Sequence, residues 1–350
     1  MIFYWVLFSI PGVFFLIGPH VNVSINRITW FATALTFIFF VGFRHEVGCD
    51  WFSYLTTYEQ LGSLTFSEIY GSEFFKRGPA YYFFGALIGR TSLGVYGFNL
   101  LCAIFFCWGL FSFCRAQPFP WLACLIAVPY LVIVVSMGYL RQSLAIGFLF
   151  FALKQIENGR PWRYGALIFL GSLFHISLVI MFPLILVSFY RKNKKLFSFI
   201  LVFIVIISFY MFFNFEGFWN TYFNMENSKW LSRGAIPRAL MNGIPAAILL
   251  LIYYRKSLLL DNPAWSAIAI VSLISVLLVQ SGSTGFDRLA LYLTPIQLYA
   301  WPRIIEGIND KRLQFFLGIF VILVYAAYQV IWLNFSDHMI CWVPYLNILF

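Results

Sequence analysis

Between Arg115 and Lys154 the chain carries a single charge, Arg141. On one side of it lies Trp121–Leu140 and on the other Ser143–Leu153, both almost wholly apolar. Either flank suits a bilayer. A guanidinium cannot shed its proton, so Arg141 must meet water, a carboxylate or a phosphate. An ionisable group at membrane depth is by default a candidate for function.

The rest of the composition agrees with that setting. Of the 350 residues 62% are hydrophobic and 10% charged, and the mean hydropathy is +0.85. Soluble domains carry about 25% charged residues. The apolar runs are long and unbroken, unlike the alternating segments of an outer-membrane barrel. These features predict an all-α, polytopic integral membrane protein, one transmembrane domain over residues 1–350 with no soluble domain attached. The formal net charge of +10 has no domain in which to hold a nucleic acid. Cys102, Cys107, Cys114 and Cys124 fall in or beside apolar spans and read as small hydrophobes. The six cysteines read as no disulfide framework. No Lys or Arg precedes the apolar start Met1–Ile17, which argues for a retained first helix.

A span needs about 20 apolar residues. The pattern predicts helices at Ile2–Ile17, Ile28–Phe43, Val95–Phe113, Trp121–Val135, Arg141–Leu153, Leu196–Phe213, Ala239–Tyr254, Ala264–Gln280, Leu289–Trp301 and Leu313–Leu333. Gly165–Tyr190 lies between two basic loops, Lys154–Arg163 and Arg191–Lys195. If both loops are cytoplasmic, the chain between them enters and returns as a hairpin with His175 near its tip. The alternative is one long span with one basic loop outside. Pro79–Arg90 then reads as a re-entrant or interfacial helix. Half-spans included, roughly 10–13 membrane helices are expected. The outer segments, chiefly 44–78 and 214–238, carry Arg44, Arg77, Arg141, Arg233, Arg238 and Arg288. Outer loops are usually poor in positive charge, so an anion on that face would explain them. Amphipathic, aromatic-rich stretches at Asp50–Leu61 and Phe215–Phe223 can lie along the bilayer surface.

The chain has no phosphate-binding loop ending in Gly-Lys-Ser/Thr, no Asp-x-Asp pair, no His-Glu-x-x-His and no Gly-x-Ser-x-Gly elbow. Its four histidines are scattered, so neither metal nor cofactor is expected. What remains is a cationic, outward-facing cavity. Arginine suits diphosphate because its planar fork makes two parallel, charge-assisted hydrogen bonds. A lipid-linked diphosphate sugar carries its own activation. Transfer from it needs positive charge at the leaving diphosphate and a base for the acceptor hydroxyl. Arg141, Arg288 and Arg44 are candidates for the charge; Asp50, Asp287, His45 and His175 are candidates for the base. Arg233 and Arg238, on either side of Pro237, are further diphosphate ligands or interfacial anchors.

Four elements in order also resemble a known family. Arg44-His-Glu-Val-Gly48-Cys-Asp50 followed by Tyr54 is similar to the Arg-x-x-x-Gly-x-Asp-x-x-x-Tyr element of EpsG-like, Wzy-type polysaccharide polymerases. Arg141-Gln142-Ser-Leu-Ala145 resembles their Arg-Gln-x-x-Ala element, His175-Ile-Ser177 their His-x-Ser hairpin, and Asp287-Arg288 to Tyr292 their late Arg-x-x-x-Tyr element. The resemblance implies a GT-C-like, metal-independent glycosyltransferase in the bacterial inner membrane. Its site would face the periplasm or exterior. It would polymerise undecaprenyl-diphosphate-linked oligosaccharides, donor and acceptor alike, into lipopolysaccharide O-antigen or a related surface polysaccharide. It would work beside a flippase and a chain-length regulator, among membrane lipids. On this reading Arg141, His175, Asp50 and Asp287 are catalytic. Arg44, His45, Tyr54, Gln142, Arg233, Arg238, Arg288 and Tyr292 bind diphosphate or glycan. The rival from another class is a transporter or flippase of lipid-linked or anionic sugars, which would show duplicated halves with broken helices. A membrane O-acyltransferase would want its histidine near a cytoplasmic acyl donor.

Overall fold

A computed structural model describes residues 1–17, 23–71, 78–190, 234–256, 258, 263–279 and 284–350. The predicted helix Leu196–Phe213, the stretch Phe215–Phe223, and Arg77 and Arg233 lie outside these residues. Among the described residues the architecture is all-α and polytopic, apart from one two-residue strand pair. Among the described residues four helices are long and apolar enough to cross a membrane: Ser24–Gly42, Gly94–Cys114, Ala235–Arg255 and Lys311–Phe335. Shorter apolar helices include Ile2–Ile17 and Pro263–Leu278. The chain is thus a multi-pass membrane protein.

In chain order the helices are α1 (Ile2–Ile17), α2 (Val23–Gly42), α3 (Trp51–Ser63), α4 (Phe66–Gly71), α5 (Pro79–Gly89), α6 (Gly94–Cys114), α7 (Pro120–Ala127), α8 (Leu140–Glu157), α9 (Pro161–Ser172), α10 (Ile185–Tyr190), α11 (Ala235–Arg255), α12 (Pro263–Leu278), α13 (Thr284–Ala290), α14 (Pro295–Glu306) and α15 (Lys311–Phe335). The strands are β1 (Arg44–His45) and β2 (Leu346–Asn347). Proline opens α5, α7, α9, α12 and α14. It is tolerated there because the first helical N–H has no partner in any case.

Proline also explains two departures from the sequence pattern. The predicted helix Trp121–Val135 widens into a π segment over Val128–Ser136. Pro129 lies inside it, with no N–H to offer and a ring that crowds the preceding turn, and a wider turn relieves both. The predicted helix Leu289–Trp301 is broken. Helix α13 ends at Ala290, a tight turn spans Leu291–Leu293, and α14 restarts at Pro295. The predicted hairpin over Gly165–Tyr190 forms from α9 and a 3-10 stretch, Ile176–Leu184, that runs into α10. The Tyr164 hydroxyl donates to the Met181 carbonyl. Gly171 meets Leu178 and Gly165 meets Ile185, so the chain reverses between them.

The chain divides into two compact units: Met1–Phe151 with Phe169–Leu178 and Ile305–Phe350, and Ala152–Ile168 with Val179–Ile304. In the first, α6 and α8 touch backbone to backbone. A methyl on Gly109 would strike the Gly147 carbonyl, and one on Gly147 would lie 2.8 Å from the Phe105 carbonyl. Small residues drive such close packing where no water remains to be expelled.

One end of this first unit gathers distant parts of the chain. β1, just past the end of α2, pairs antiparallel with β2, Arg44 opposite Asn347. Cys49 is disulfide-bonded to Cys341, a pairing that the cysteine pattern did not lead us to expect. The Gly48 amide donates to the Cys341 carbonyl at 2.7 Å. Trp342 donates to the Ile133 carbonyl at 2.8 Å and its own carbonyl accepts from the Tyr4 hydroxyl at 2.6 Å. Its ring leaves room for no side chain at Gly138. The N-terminus of α1, the C-termini of α2 and α15 and the start of α8 therefore share one end. The far ends of these helices carry Arg27, Lys311 and Arg312.

The second unit packs α11 on α12, with Gly243 against Val276. Trp265 of α12 stacks on Tyr299 of α14 at 3.7 Å and donates to Glu157 at the end of α8 at 2.7 Å.

Replacing Gly109 with Val should force α6 and α8 apart and cost about 1–3 kcal/mol. A clearly lower melting temperature of the detergent-solubilised protein is the expected reading. An unchanged one would refute the backbone contact.

Candidate functional site

The loop after α2 is shaped by its own arginine. Arg44 is completely enclosed. Its Nη1 donates to the Val41 carbonyl at 2.6 Å and its Nε to the Val47 carbonyl at 3.3 Å. It thus ties the frayed end of α2 to the loop that follows. Its charge lies 5.9 Å from the Trp51 ring centroid. Burial pulls the guanidinium down to about 10, against the pull of Cys102 and Tyr54, so it stays cationic at neutral pH. One nitrogen, Nη2, is buried without a hydrogen-bond partner. Arg44, expected as a diphosphate ligand, is buried here against backbone carbonyls of its own loop.

Gly48 accounts for its place in the motif. Its φ is +103°, and a methyl there would lie 2.6 Å from the Met137 carbonyl. Only glycine takes this backbone and this approach without strain. The turn brings the loop onto Met137–Gly138, directly ahead of α8. Asp50 stands at the N-cap of α3 and is half-buried, as is Tyr54 one turn on. His45 lies between Trp51, at 5.7 Å between ring centroids, and Tyr96 of α6. Its Nδ1 is 2.7 Å from the Tyr96 hydroxyl.

Arg141 sits in the first turn of α8, half-buried. Its Nη1 donates to the Tyr82 hydroxyl at 3.3 Å, and its charge lies 5.6 Å from the Tyr81 ring centroid. Tyr58 of α3 donates to the Tyr81 hydroxyl at 2.6 Å. Burial holds the Tyr58 phenol well above its ordinary value, so it stays a neutral donor. Gln142 is buried next to Arg141.

His175 occupies the turn of the α9 hairpin. Its Nδ1 is 2.6 Å from the Ser177 hydroxyl and 3.4 Å from the Ser177 amide. An amide can only donate, so Nδ1 accepts and the neutral ring carries its proton on Nε2. The turn docks on the start of α5, where Ala80 donates to the Leu173 carbonyl at 3.0 Å. Phe174 stacks between Phe84 and Phe148.

These pieces rest on one aromatic core. Trp51, Tyr58, Tyr81, Tyr82, Phe98 and Leu140 form a buried cluster, with Tyr54, Tyr96, Phe148 and Phe174 packed against it. Arg44, His45, Asp50, Tyr54, Arg141, Gln142 and His175 all stand on or beside that cluster.

In the second unit Arg238 and Asp287 meet in a two-pronged ion pair. Nε donates to Oδ1 at 2.9 Å and Nη2 to Oδ2 at 2.6 Å, and both side chains are mostly buried. Both oxygens of Asp287, a candidate base by sequence, are engaged by Arg238. Asn242 donates to the Ala290 carbonyl at 3.3 Å and accepts from Gln297 at 2.6 Å. Tyr292 is buried and Arg288 half-buried.

A comparison with protein families matches residues 27–347 to the EpsG family. The chain belongs to the EpsG family. Comparisons with curated proteins and with solved structures gave no match. Family membership makes the chain a polysaccharide-polymerase-like membrane glycosyltransferase. The matched span includes all four motif elements.

The EpsG-type motifs did not point to Tyr81, Tyr82 and Tyr58, which hold Arg141 from outside its own motif. The signal for Tyr81 and Tyr82 was Ala-Tyr-Tyr at the head of an apolar stretch too short to span. Nor did spacing reveal Arg238 as the partner of Asp287, since the two lie on separate helices.

Breaking the Arg238–Asp287 pair from either side should be costly. Arg238→Ala and Asp287→Ala should each lower stability by about 3 kcal/mol, and the double variant by less than their sum. Strictly additive losses in a detergent melting series would show that the pair is not coupled.

Proposed function

We propose that this EpsG-family chain polymerises lipid-diphosphate-linked oligosaccharide repeat units at the exoplasmic face of the bacterial inner membrane. The lipid would be undecaprenyl and the product an O-antigen or related surface polysaccharide. The observation that carries the reading is the setting of Arg141. A permanent cation stands in the first turn of α8, where the helix's own dipole opposes it. An anion at that place is drawn both by the guanidinium and by the positive end of the helix dipole.

Two features favour the exoplasmic face. The Cys49–Cys341 bond lies at the same end as Arg141, and disulfides persist in oxidising compartments. The opposite helix ends carry Arg27, Lys311 and Arg312, as the positive-inside rule expects of a cytoplasmic side.

In the reaction, the fork of Arg141 grips the donor's diphosphate and gains strength as negative charge develops on the leaving oxygen. Tyr82 and Tyr81 keep that fork aimed. His175 presents Nε2–H as a donor to the diphosphate or glycan. Asp50 stands on the same core as a candidate base. Arg288 and Tyr292 keep their proposed part in binding diphosphate. Arg238, matched to Asp287, holds local structure. Arg44 acts through the loop it ties down.

Arg141→Ala should leave the protein in the membrane and abolish long-chain polysaccharide. Arg141→Lys should remain severely impaired, because a point charge cannot make two parallel hydrogen bonds. Polysaccharide ladders on a gel read both, and a normal ladder from the alanine variant would overturn the proposal. The face is tested separately in spheroplasts. A membrane-impermeant maleimide should label Cys49 and Cys341 after reduction without permeabilisation; labelling that requires permeabilisation would reverse the orientation.

A further inference from the structure

Glycosyl transfer leaves the acceptor hydroxyl's proton to be placed, and the loop after α2 holds an arrangement suited to it. The Tyr96 hydroxyl lies 2.7 Å from His45 Nδ1. On the other side of the same ring, Nε2 lies 3.8 Å from the Glu46 carboxylate. Tyr96 is half-buried, and the His45 and Glu46 side chains are 40% and 46% exposed. A glycan can therefore reach the group without rearrangement. The ring is held edge-on by Trp51, and β1 fixes its backbone against Leu346.

The carboxylate has its own mark of placement. Glu46 has a φ of +51°, the one positive value at a non-glycine among the described residues. Such a conformation persists only where its surroundings enforce it, and it clusters at functional sites. Here it lies between Arg44, whose bonds to Val41 and Val47 span the turn, and Gly48.

We propose that Tyr96, His45 and Glu46 form the proton relay for the acceptor, an inference that rests on the polymerase reading above. Hydroxyl, imidazole and carboxylate stand in the order that activates a weak nucleophile elsewhere in enzymology. With Tyr96 donating to Nδ1, the neutral ring carries its remaining proton on Nε2, towards Glu46. In the step, the acceptor oxygen bonds to the anomeric carbon, and the bond from that carbon to the diphosphate oxygen breaks. The diphosphate leaves with the electron pair. The acceptor's proton passes to the Tyr96 oxygen as the Tyr96 proton passes to Nδ1, and Glu46 steadies the imidazolium. Tyr96 is the catalytic residue of the relay; Glu46 acts through His45 and is a positioning residue.

The test uses the full chain in nanodiscs, with lipid-linked repeat unit extracted from cells lacking the polymerase as substrate. Tyr96→Phe removes one oxygen. It should lower kcat by about 10²-fold and leave KM and melting temperature near wild type. Glu46→Gln should lower kcat by about tenfold at unchanged KM, and His45→Gln should match Tyr96→Phe. Tyr96→Phe and His45→Gln with kcat near wild type, beside an inactive Arg141→Ala, would sink the relay and leave the polymerase reading standing. A wild-type chain that joins no repeat units from this substrate would sink both.

Discussion

A cation in a nearly chargeless helix bundle must be given partners, and the answer given to each arginine sorts its role. Arg44 has backbone carbonyls: two of its nitrogens are committed to Val41 and Val47, and it is closed off from solvent. Arg238 has a carboxylate, both of whose oxygens it takes. Arg141 has tyrosines. The Tyr81 ring face and the Tyr82 phenol oxygen orient its guanidinium without adding a charge of their own. Three residues that look alike in a hydropathy plot thus become a loop tie, an ion-pair partner and a candidate diphosphate ligand.

The loop that Arg44 shapes is where the two ends of the chain meet. Gly48 permits the backbone approach to Met137, and β2 and Cys341 of the C-terminal segment hold the loop from outside. The disulfide closes a sequence separation of 292 residues. So the geometry ahead of α8, and with it the setting of Arg141, depends on residues at both extremes of the sequence.

This explains what could be read in advance. Apolar runs and their basic flanks are local signals, so the class of the protein and most helix positions followed from them. α1 matches its predicted bounds, and α6 and α15 lie within two residues of theirs. The hairpin turn at His175 followed from charge placement alone. Two helix errors fell where proline meets an apolar run, because hydrophobicity is blind to a missing N–H: Pro129 widened one helix and Pro295 split another. The motif residues were legible one by one. Their roles were not, because role is set by partners far away in sequence. Asp287 finds Arg238 across 49 positions, His45 finds Tyr96 across 51, and Arg141 finds Tyr82 across 59.

The tyrosines carry a further consequence. An arginine in an apolar bundle needs polar contacts that bring no further charge into hydrocarbon, and a phenol offers this with one oxygen on an apolar body. Tyr58, Tyr81 and Tyr82 form such a shelf inside the first unit: Tyr58 donates to Tyr81, Tyr81 meets Tyr82 edge-on, and Tyr82 accepts from Arg141. A serine shelf would supply the same hydrogen bonds but no ring face for the cation. A phenylalanine shelf would supply the face but no oxygen to accept from Arg141 Nη1. Of the three, tyrosine alone provides both the ring face and the hydrogen bond that Arg141 makes here.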